Sequence, residues 1–268
     1  MQSWRDPDNW KNPPIPTSAV VERLRFVTEG VADDDDQFQD TVDHIRRDQA
    51  DWWSRLADWI GVVSSQDLIE LGRQRRIRRS FERVSMWIAD AEDGREPGFT
   101  SLHIPHIRGY CGEPLTKEQL TRCMSLTGEA QRPPEAWLLL RDARSLLRSD
   151  EYRRAVLDAG TAAELALTAM LDKYLSATSS PDAADALMDS TKMLGPLRGL
   201  VKKLLPGALP DKFQSRVIDP RNDAAHGVRL ITKDVAEAAI TTTSELLNTA
   251  HPLSDFGLSV SQSATPTA

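Results

Sequence analysis

The chain has little cysteine and no long apolar run. Its 268 residues include only Cys111 and Cys123, and two thiols do not make the disulfide framework of a small secreted domain. No run of eighteen apolar residues is present, so no transmembrane helix is predicted. Residues 1–16 are polar and contain prolines, without the apolar core of a secretory signal. These absences predict a cytoplasmic protein with no membrane partner.

Common signatures of catalysis and cofactor binding are also missing. The chain contains no Gly-x-x-x-x-Gly-Lys-Ser/Thr loop, no Gly-x-Gly-x-x-Gly, no Gly-x-Ser-x-Gly and no His-Glu-x-x-His. The ATPase, dehydrogenase, α/β-hydrolase and zincin hypotheses therefore lose their main support. His103, His106, Cys111 and Cys123 lack the paired spacing of zinc ligands. We predict neither a bound metal nor a cofactor.

The balance of charge is acidic. A formal net charge of −7 argues against a protein that coats nucleic acid, because such binding depends mainly on Lys and Arg against phosphates. Residues 134–252 are close to neutral, with 15 Lys and Arg against 16 Asp and Glu. Five arginines lie within residues 73–79, but no aromatic residues alternate with them to stack on bases. A solvated surface is the favoured interpretation of that cluster.

The chain is predicted to have an α+β fold overall, divided near residues 128–134. Gly128, Pro133 and Pro134 interrupt the periodicity there. Before the break, alternating apolar residues predict strands at 19–27, 81–89 and 100–107. A heptad stripe of apolar residues predicts a helix at 38–63. We therefore predict a mixed α+β domain of unknown role at residues 1–130.

After the break the pattern is helical throughout. Residues 134–252 carry apolar side chains at helical spacing, which predicts an all-α bundle. The segment 152–175 has many alanines along one face, so a neighbouring helix can approach it closely. Residues 253–268 are small and polar, show no periodicity and are predicted to form a disordered tail.

A short helix is predicted at residues 219–227. Asp219 is suited to the N-cap position, and Pro220 is suited to the first helical position, where its missing N–H is not needed. Gly227 is suited to the left-handed residue that ends a helix.

This helix contains residues that a phosphodiester-cleaving site can use. Arg221 is a permanent cation whose planar fork matches a phosphate, and His226 can take or give a proton near neutral pH. With Asn222 they form the pattern R-N-x3-H, which resembles the signature of the HEPN superfamily. Predicted helices at 152–175 and 232–247 flank the motif, and the resemblance does not extend to the first 130 residues. It implies an all-helical domain; many HEPN domains are toxin or defence ribonucleases, and others only bind nucleotide or RNA.

The resemblance also implies roles for the three residues. His226 would act as base or acid, Arg221 would stabilise charge on the phosphorane, and Asn222 would position the phosphate or orient His226. Because one histidine cannot easily be base and acid at once, a homodimer acting on RNA is expected, and a toxin would have an antitoxin protein as partner. The alternative is a non-catalytic nucleotide-binding, RNA-binding or protein-interaction module.

Glu164 is a carboxylate on an otherwise apolar stripe of residues 157–171. Such a group needs a partner, and Arg221 is a candidate. One interpretation is that Glu164 orients the arginine of the motif; the other is an ion pair that only joins two helices. Both predict that Glu164 faces the motif segment.

Overall fold

The computed structural model describes residues 35–64, 80–88, 98–106, 115–189, 191, 193–227 and 229–259. Contacts within the chain divide it into two units, Met1–Asp48 and Gln49–Ala268. The predicted strand at 19–27 and the arginine cluster at 73–79 lie outside the described residues.

Eight α-helices and a hairpin of two strands are found in the described residues. None of these helices is both long enough and apolar enough to cross a membrane. In chain order the elements are α1 Asp35–Val63, β1 Ser80–Ile88, β2 Gly98–His106, α2 Lys117–Gly128, α3 Glu135–Arg148, α4 Tyr152–Thr178, α5 Pro181–Asp189, α6 Leu194–Leu204, a π-helical turn Gln214–Ile218, α7 Asp219–His226, α8 Lys233–Ala250 and a 3-10 turn Leu253–Phe256.

The predicted α+β fold class is wrong, because the described part of the chain is mostly helical. Strands β1 and β2 pair antiparallel with each other, from Ser80 opposite His106 to Ile88 opposite Gly98. Two strands do not make the sheet of an α+β domain. The helix predicted at 38–63 is confirmed as α1. Its last two turns, including Leu56 and Trp59, are buried in a helical core.

Helix α4 lies at the centre of this core. It packs against α3, α6, α7 and α8. Half of its ten buried positions are alanine, namely Ala155, Ala159, Ala162, Ala163 and Ala166. Small side chains let neighbouring helices approach closely, as the alanine pattern predicts.

The break at residues 128–134 is a turn inside one core. Cys123 and Leu126 of α2 are buried together with Trp137 and Leu140 of α3. The indole Nε1 of Trp59 donates to the Gln131 carbonyl at 3.0 Å, so the turn itself is fixed by α1. Described residues from Gln49 up to the break, and those after it, belong to the unit Gln49–Ala268.

The predicted disordered tail is packed as far as Ser259. Leu253 and Leu258 are buried, and the ring of Phe256 lies 5.2 Å from that of Trp59. The backbone is held from α2, because Arg122 Nε donates to the Phe256 carbonyl at 2.7 Å and a Gln119 side-chain amide donates to Ser259. Residues 260–268 lie outside the described part.

Truncation of the chain tests whether residues 253–259 are packed in the core. A chain that ends at Pro252 loses two buried leucines, so we expect its free energy of unfolding to fall by at least about 3 kcal/mol. Chemical denaturation followed by tryptophan fluorescence measures the loss. A chain that ends at Ser259 keeps the buried leucines and is the control, so it should be more stable than the chain that ends at Pro252. Equal stability of all three proteins would contradict the packing of residues 253–259.

Candidate functional site

The motif helix α7 continues directly from a wider helical turn. Residues Gln214–Ile218 form a π-helical turn, and Ile218 already has helical backbone angles. The predicted N-cap role of Asp219 is therefore wrong, because no non-helical residue precedes α7. The Asp219 carboxylate instead accepts a hydrogen bond from Gln214 Nε2 at 2.6 Å. Pro220 lies in the first turn of α7, as predicted.

The end of α7 is defined by Gly227. This residue has φ 68° and ψ 24°, and its N–H donates to the Asp223 carbonyl. The left-handed conformation predicted for Gly227 is confirmed, and glycine adopts it without strain. Arg153 of α4 also reaches this end, where its Nε donates to the Ala224 carbonyl at 2.7 Å. A cation at the carboxyl end of a helix is favourable because the unpaired carbonyls carry partial negative charge.

Three residues on one face of α4 hold α7. Arg153, Gly160 and Glu164 are separated by seven and then four positions, a spacing that places them on the same side of a helix. A Cβ atom added at Gly160 would lie 2.5 Å from Arg221 Cγ and 3.1 Å from Arg221 Cβ. The aliphatic part of Arg221 therefore lies directly against the backbone of α4. No residue larger than glycine fits at position 160 without displacing it.

Glu164 lies next to the arginine of the motif. Arg221 Nη2 and Glu164 Oε2 are 4.0 Å apart, and their side chains are 32% and 30% exposed. The prediction that Glu164 faces the motif segment is confirmed. At this distance and exposure the pair adds little stability, on the order of 0–1 kcal/mol. The main effect of the pair is to orient the Arg221 side chain. The Glu164 carboxylate attracts the guanidinium, and part of the guanidinium stays in solvent.

The other two residues of the motif are exposed. Asn222 and His226 lie on the surface of α7, one helical turn apart, so their side chains are neighbours. Asn222 Oδ1 lies 3.5 Å from Arg221 Nη1. His226 makes no hydrogen bond or ion pair with any residue that the structure describes. Arginine, amide and imidazole are thus all open to a ligand.

Burial of Ala224 fixes the orientation of this surface. Ala224 packs in a small second core with Val156 of α4 and with Ala236 and Ala239 of α8. Because Ala224 faces inward, the residues two positions before and after it on α7, Asn222 and His226, face away from that core. The helix therefore presents a polar surface that can accept a phosphate, flanked by Arg221 at one end and Arg153 at the other.

Two residues of α4 that contact α7, Gly160 and Arg153, were not predicted from the sequence to belong to the site. Gly160 lies within the stripe of residues 157–171 that contains Glu164, and the stripe alone does not identify it as a contact of Arg221. Arg153 was not singled out, although it lies seven residues before Gly160 on the same helical face. That spacing is the signal that could have identified it.

Metal-ligand candidates do not converge in the described residues. No group of three or more His, Cys, Asp or Glu side chains there could hold a metal ion. Cys123 is a buried thiol, and burial raises its pKa to about 11. It is therefore a packing residue of α2 and a poor nucleophile near neutral pH. Cys111 lies outside the described residues.

Comparison with known proteins adds no assignment. The chain matches no protein-family model, and searches of curated proteins and of solved structures found no match either. The site is therefore interpreted from its own residues and geometry.

Replacement of Gly160 by Ala tests the contact between α4 and Arg221. In an open helix interior this change adds up to about 1 kcal/mol of stability. Here we expect a net loss of about 1 kcal/mol, because the new methyl group overlaps Arg221. Gly199→Ala is the matched control, since Gly199 is exposed in α6 and a Cβ there meets nothing within 4 Å. It should stabilise the protein. An equal gain for both variants, measured by chemical denaturation, would contradict the close contact.

Proposed function

We propose that the protein is a metal-independent endoribonuclease of the HEPN type, acting in the cytoplasm in a defence or toxin-like role. One observation carries the proposal. The motif arginine Arg221 is held against Gly160 beside Glu164, on the same short helix that exposes Asn222 and His226. A cationic fork, an amide and a titratable ring thus share one solvent-facing surface, as phosphodiester cleavage requires.

RNA supplies the nucleophile for the reaction. The ribose 2′-oxygen attacks the adjacent phosphorus, the bond from phosphorus to the 5′-oxygen breaks, and the products are a 2′,3′-cyclic phosphate and a 5′-hydroxyl. A base takes the proton of the 2′-hydroxyl, and an acid gives a proton to the leaving 5′-oxygen. His226 serves in one of these steps. The Arg221 guanidinium contacts two phosphate oxygens and stabilises the charge that develops on them.

A symmetric dimer supplies the second proton-transfer group. In the part of the chain from residue 134 onward, the other histidine is His251. It follows α8, is partly buried, and burial lowers its pKa. A second His226, brought by another copy of the chain, provides both an acid and a base. Leu230 follows the motif by four residues and is 90% exposed, so it is available for such an interface.

The histidine and arginine variants test the chemistry. His226→Ala should lower the rate of RNA cleavage at least about 100-fold, because it removes the proton-transfer group. Arg221→Lys keeps the charge but loses the two-oxygen contact, and we expect a loss of about 10-fold or more. Cleavage of a labelled RNA in the presence of a metal chelator measures both.

His251→Ala is the control for the histidine and should cleave at the wild-type rate. Neither motif variant should change the thermal unfolding temperature, because both side chains are at least partly exposed. Wild-type-like cleavage by His226→Ala would contradict the ribonuclease proposal. If the wild-type protein cleaves no RNA but Arg221→Ala weakens RNA binding, the non-catalytic phosphate-binding alternative holds.

Assembly has its own test. We expect a dimer at micromolar concentration in analytical ultracentrifugation, with Leu230→Asp shifting it toward monomer because the change places a charge in the interface. Met193→Asp is the matched control, since Met193 is also an exposed apolar residue, 69% accessible, at the start of α6. A wild-type monomer, or an equal shift for both variants, would contradict an interface at the motif.

A further inference from the structure

A basic cavity lies before the motif helix. It has a volume of about 310 Å³ and is formed by α6 and the segment that leads into the π-helical turn. Arg198 and Lys202 line it from α6, and Lys212 lines it from the following loop. It shares no lining residue with α7. The cavity is therefore a feature separate from the R-N-x3-H motif.

Within the part of the chain that the structure describes, the three cations of this cavity have no carboxylate partner. None of Arg198, Lys202 and Lys212 forms an ion pair with a residue in the described part of the chain. In a protein with 40 acidic and 33 basic residues, cations are outnumbered by carboxylates and are easily paired. Asp211 is the one acidic residue in the lining, which leaves a net charge of +2. A concave surface with excess positive charge concentrates anions.

The positions of these cations are unfavourable without a ligand. Arg198 and Lys202 are four residues apart on α6, so two like charges are neighbours on one helical face. The Arg198 Nε is buried and has no hydrogen-bond partner among the described residues. Lys212 has φ +58°, a left-handed conformation that is uncommon for lysine. Backbone outliers and clustered like charges of this kind are more frequent at ligand-binding sites than elsewhere in proteins.

The loop that carries Lys212 is fixed in place. The Lys212 carbonyl accepts hydrogen bonds from the Arg216 N–H at 2.9 Å and from Ser215 Oγ at 3.2 Å. Phe213, next to Lys212, is buried in the main core. Lys212 is therefore presented from a defined backbone toward a cavity that already contains Arg198 and Lys202. A preformed cluster of this kind binds an anion with little further ordering.

We propose that this cavity is a phosphate-binding site distinct from the motif. Two lysines supply point charges, and Arg198 supplies a guanidinium that contacts more than one phosphate oxygen. Bound phosphate relieves the repulsion between Arg198 and Lys202. Gln214 joins the cavity to the start of α7, because it lines the cavity and also donates to Asp219. The phosphate comes either from a small phosphorylated ligand or from an RNA strand that continues beyond the motif.

Calorimetric titration with pyrophosphate tests the site directly. We expect wild-type protein to bind it with an affinity that falls as salt rises. Lys202→Gln should weaken binding about 10-fold, the effect of losing one charge-assisted contact. Lys212→Asn is a second variant, because asparagine tolerates the left-handed conformation. Lys203→Gln is the matched control, since Lys203 is exposed on the same helix but does not line the cavity.

A second titration identifies the source of the phosphate. A short single-stranded RNA is added to His226→Ala protein, with and without Lys202→Gln. Weaker RNA binding in the double variant assigns the site to an RNA phosphate, whereas an effect on pyrophosphate alone assigns it to a small ligand. The proposal is overturned if Lys202→Gln changes neither affinity, or if Lys203→Gln lowers them equally. These binding affinities do not depend on RNA cleavage. The ribonuclease proposal can therefore fail in the cleavage assay while the phosphate-binding site is still supported by the titrations.

Discussion

The small side chains of α4 are the feature on which the rest of the structure depends. Alanines along this helix let α3 and α8 pack closely against it. At one position the side chain is absent altogether, and there Arg221 of α7 lies against the helix backbone. Because the aliphatic part of the Arg221 side chain packs against Gly160, the guanidinium lies near Glu164. Asn222 and His226 of the same helix are exposed to solvent. Close helix packing and the geometry of the site thus have the same origin.

Local features of the sequence predicted local structure well. The heptad stripe of residues 38–63 predicted α1, Gly227 predicted the end of α7, and the apolar surroundings of Glu164 predicted a nearby partner. Each of these inferences depends on a few neighbouring residues and on one periodicity. Asp219 is an exception, because its N-cap role required a non-helical residue before it. The π-helical turn at Gln214–Ile218 makes the residue before Asp219 helical. No short sequence pattern predicts such a turn.

Contacts between distant parts of the chain could not be predicted from the sequence, for a physical reason. Glycine and prolines at residues 128–134 mark a change of chain direction, but they do not show whether both sides share a core. Here they do, since Trp59 of α1 donates a hydrogen bond to Gln131 and contacts Phe256. Likewise, the mostly polar composition after residue 252 predicted a disordered tail, although Leu253 and Leu258 in this segment are buried in the core. In both places the decisive contacts join residues more than seventy positions apart.

Five cations of this acidic protein lie at the motif helix or at the cavity that precedes it. Arg153 and Arg221 lie at opposite ends of α7, and Arg198, Lys202 and Lys212 line the cavity that precedes it. The motif arginine has one distant carboxylate partner and the cavity cations have none in the described residues. Local potential therefore allows an anionic ligand to approach despite the net charge of −7.

The most direct test of the central claim is the chemistry of the cleaved ends. RNA treated with the purified protein would be analysed by mass spectrometry, beside a strand with one 2′-deoxynucleotide at the cleavage position. Attack by the 2′-oxygen predicts fragments with a 2′,3′-cyclic phosphate and a 5′-hydroxyl, and no cleavage at the deoxy position. Cleavage at the deoxy position, or fragments with a 5′-phosphate, would contradict it.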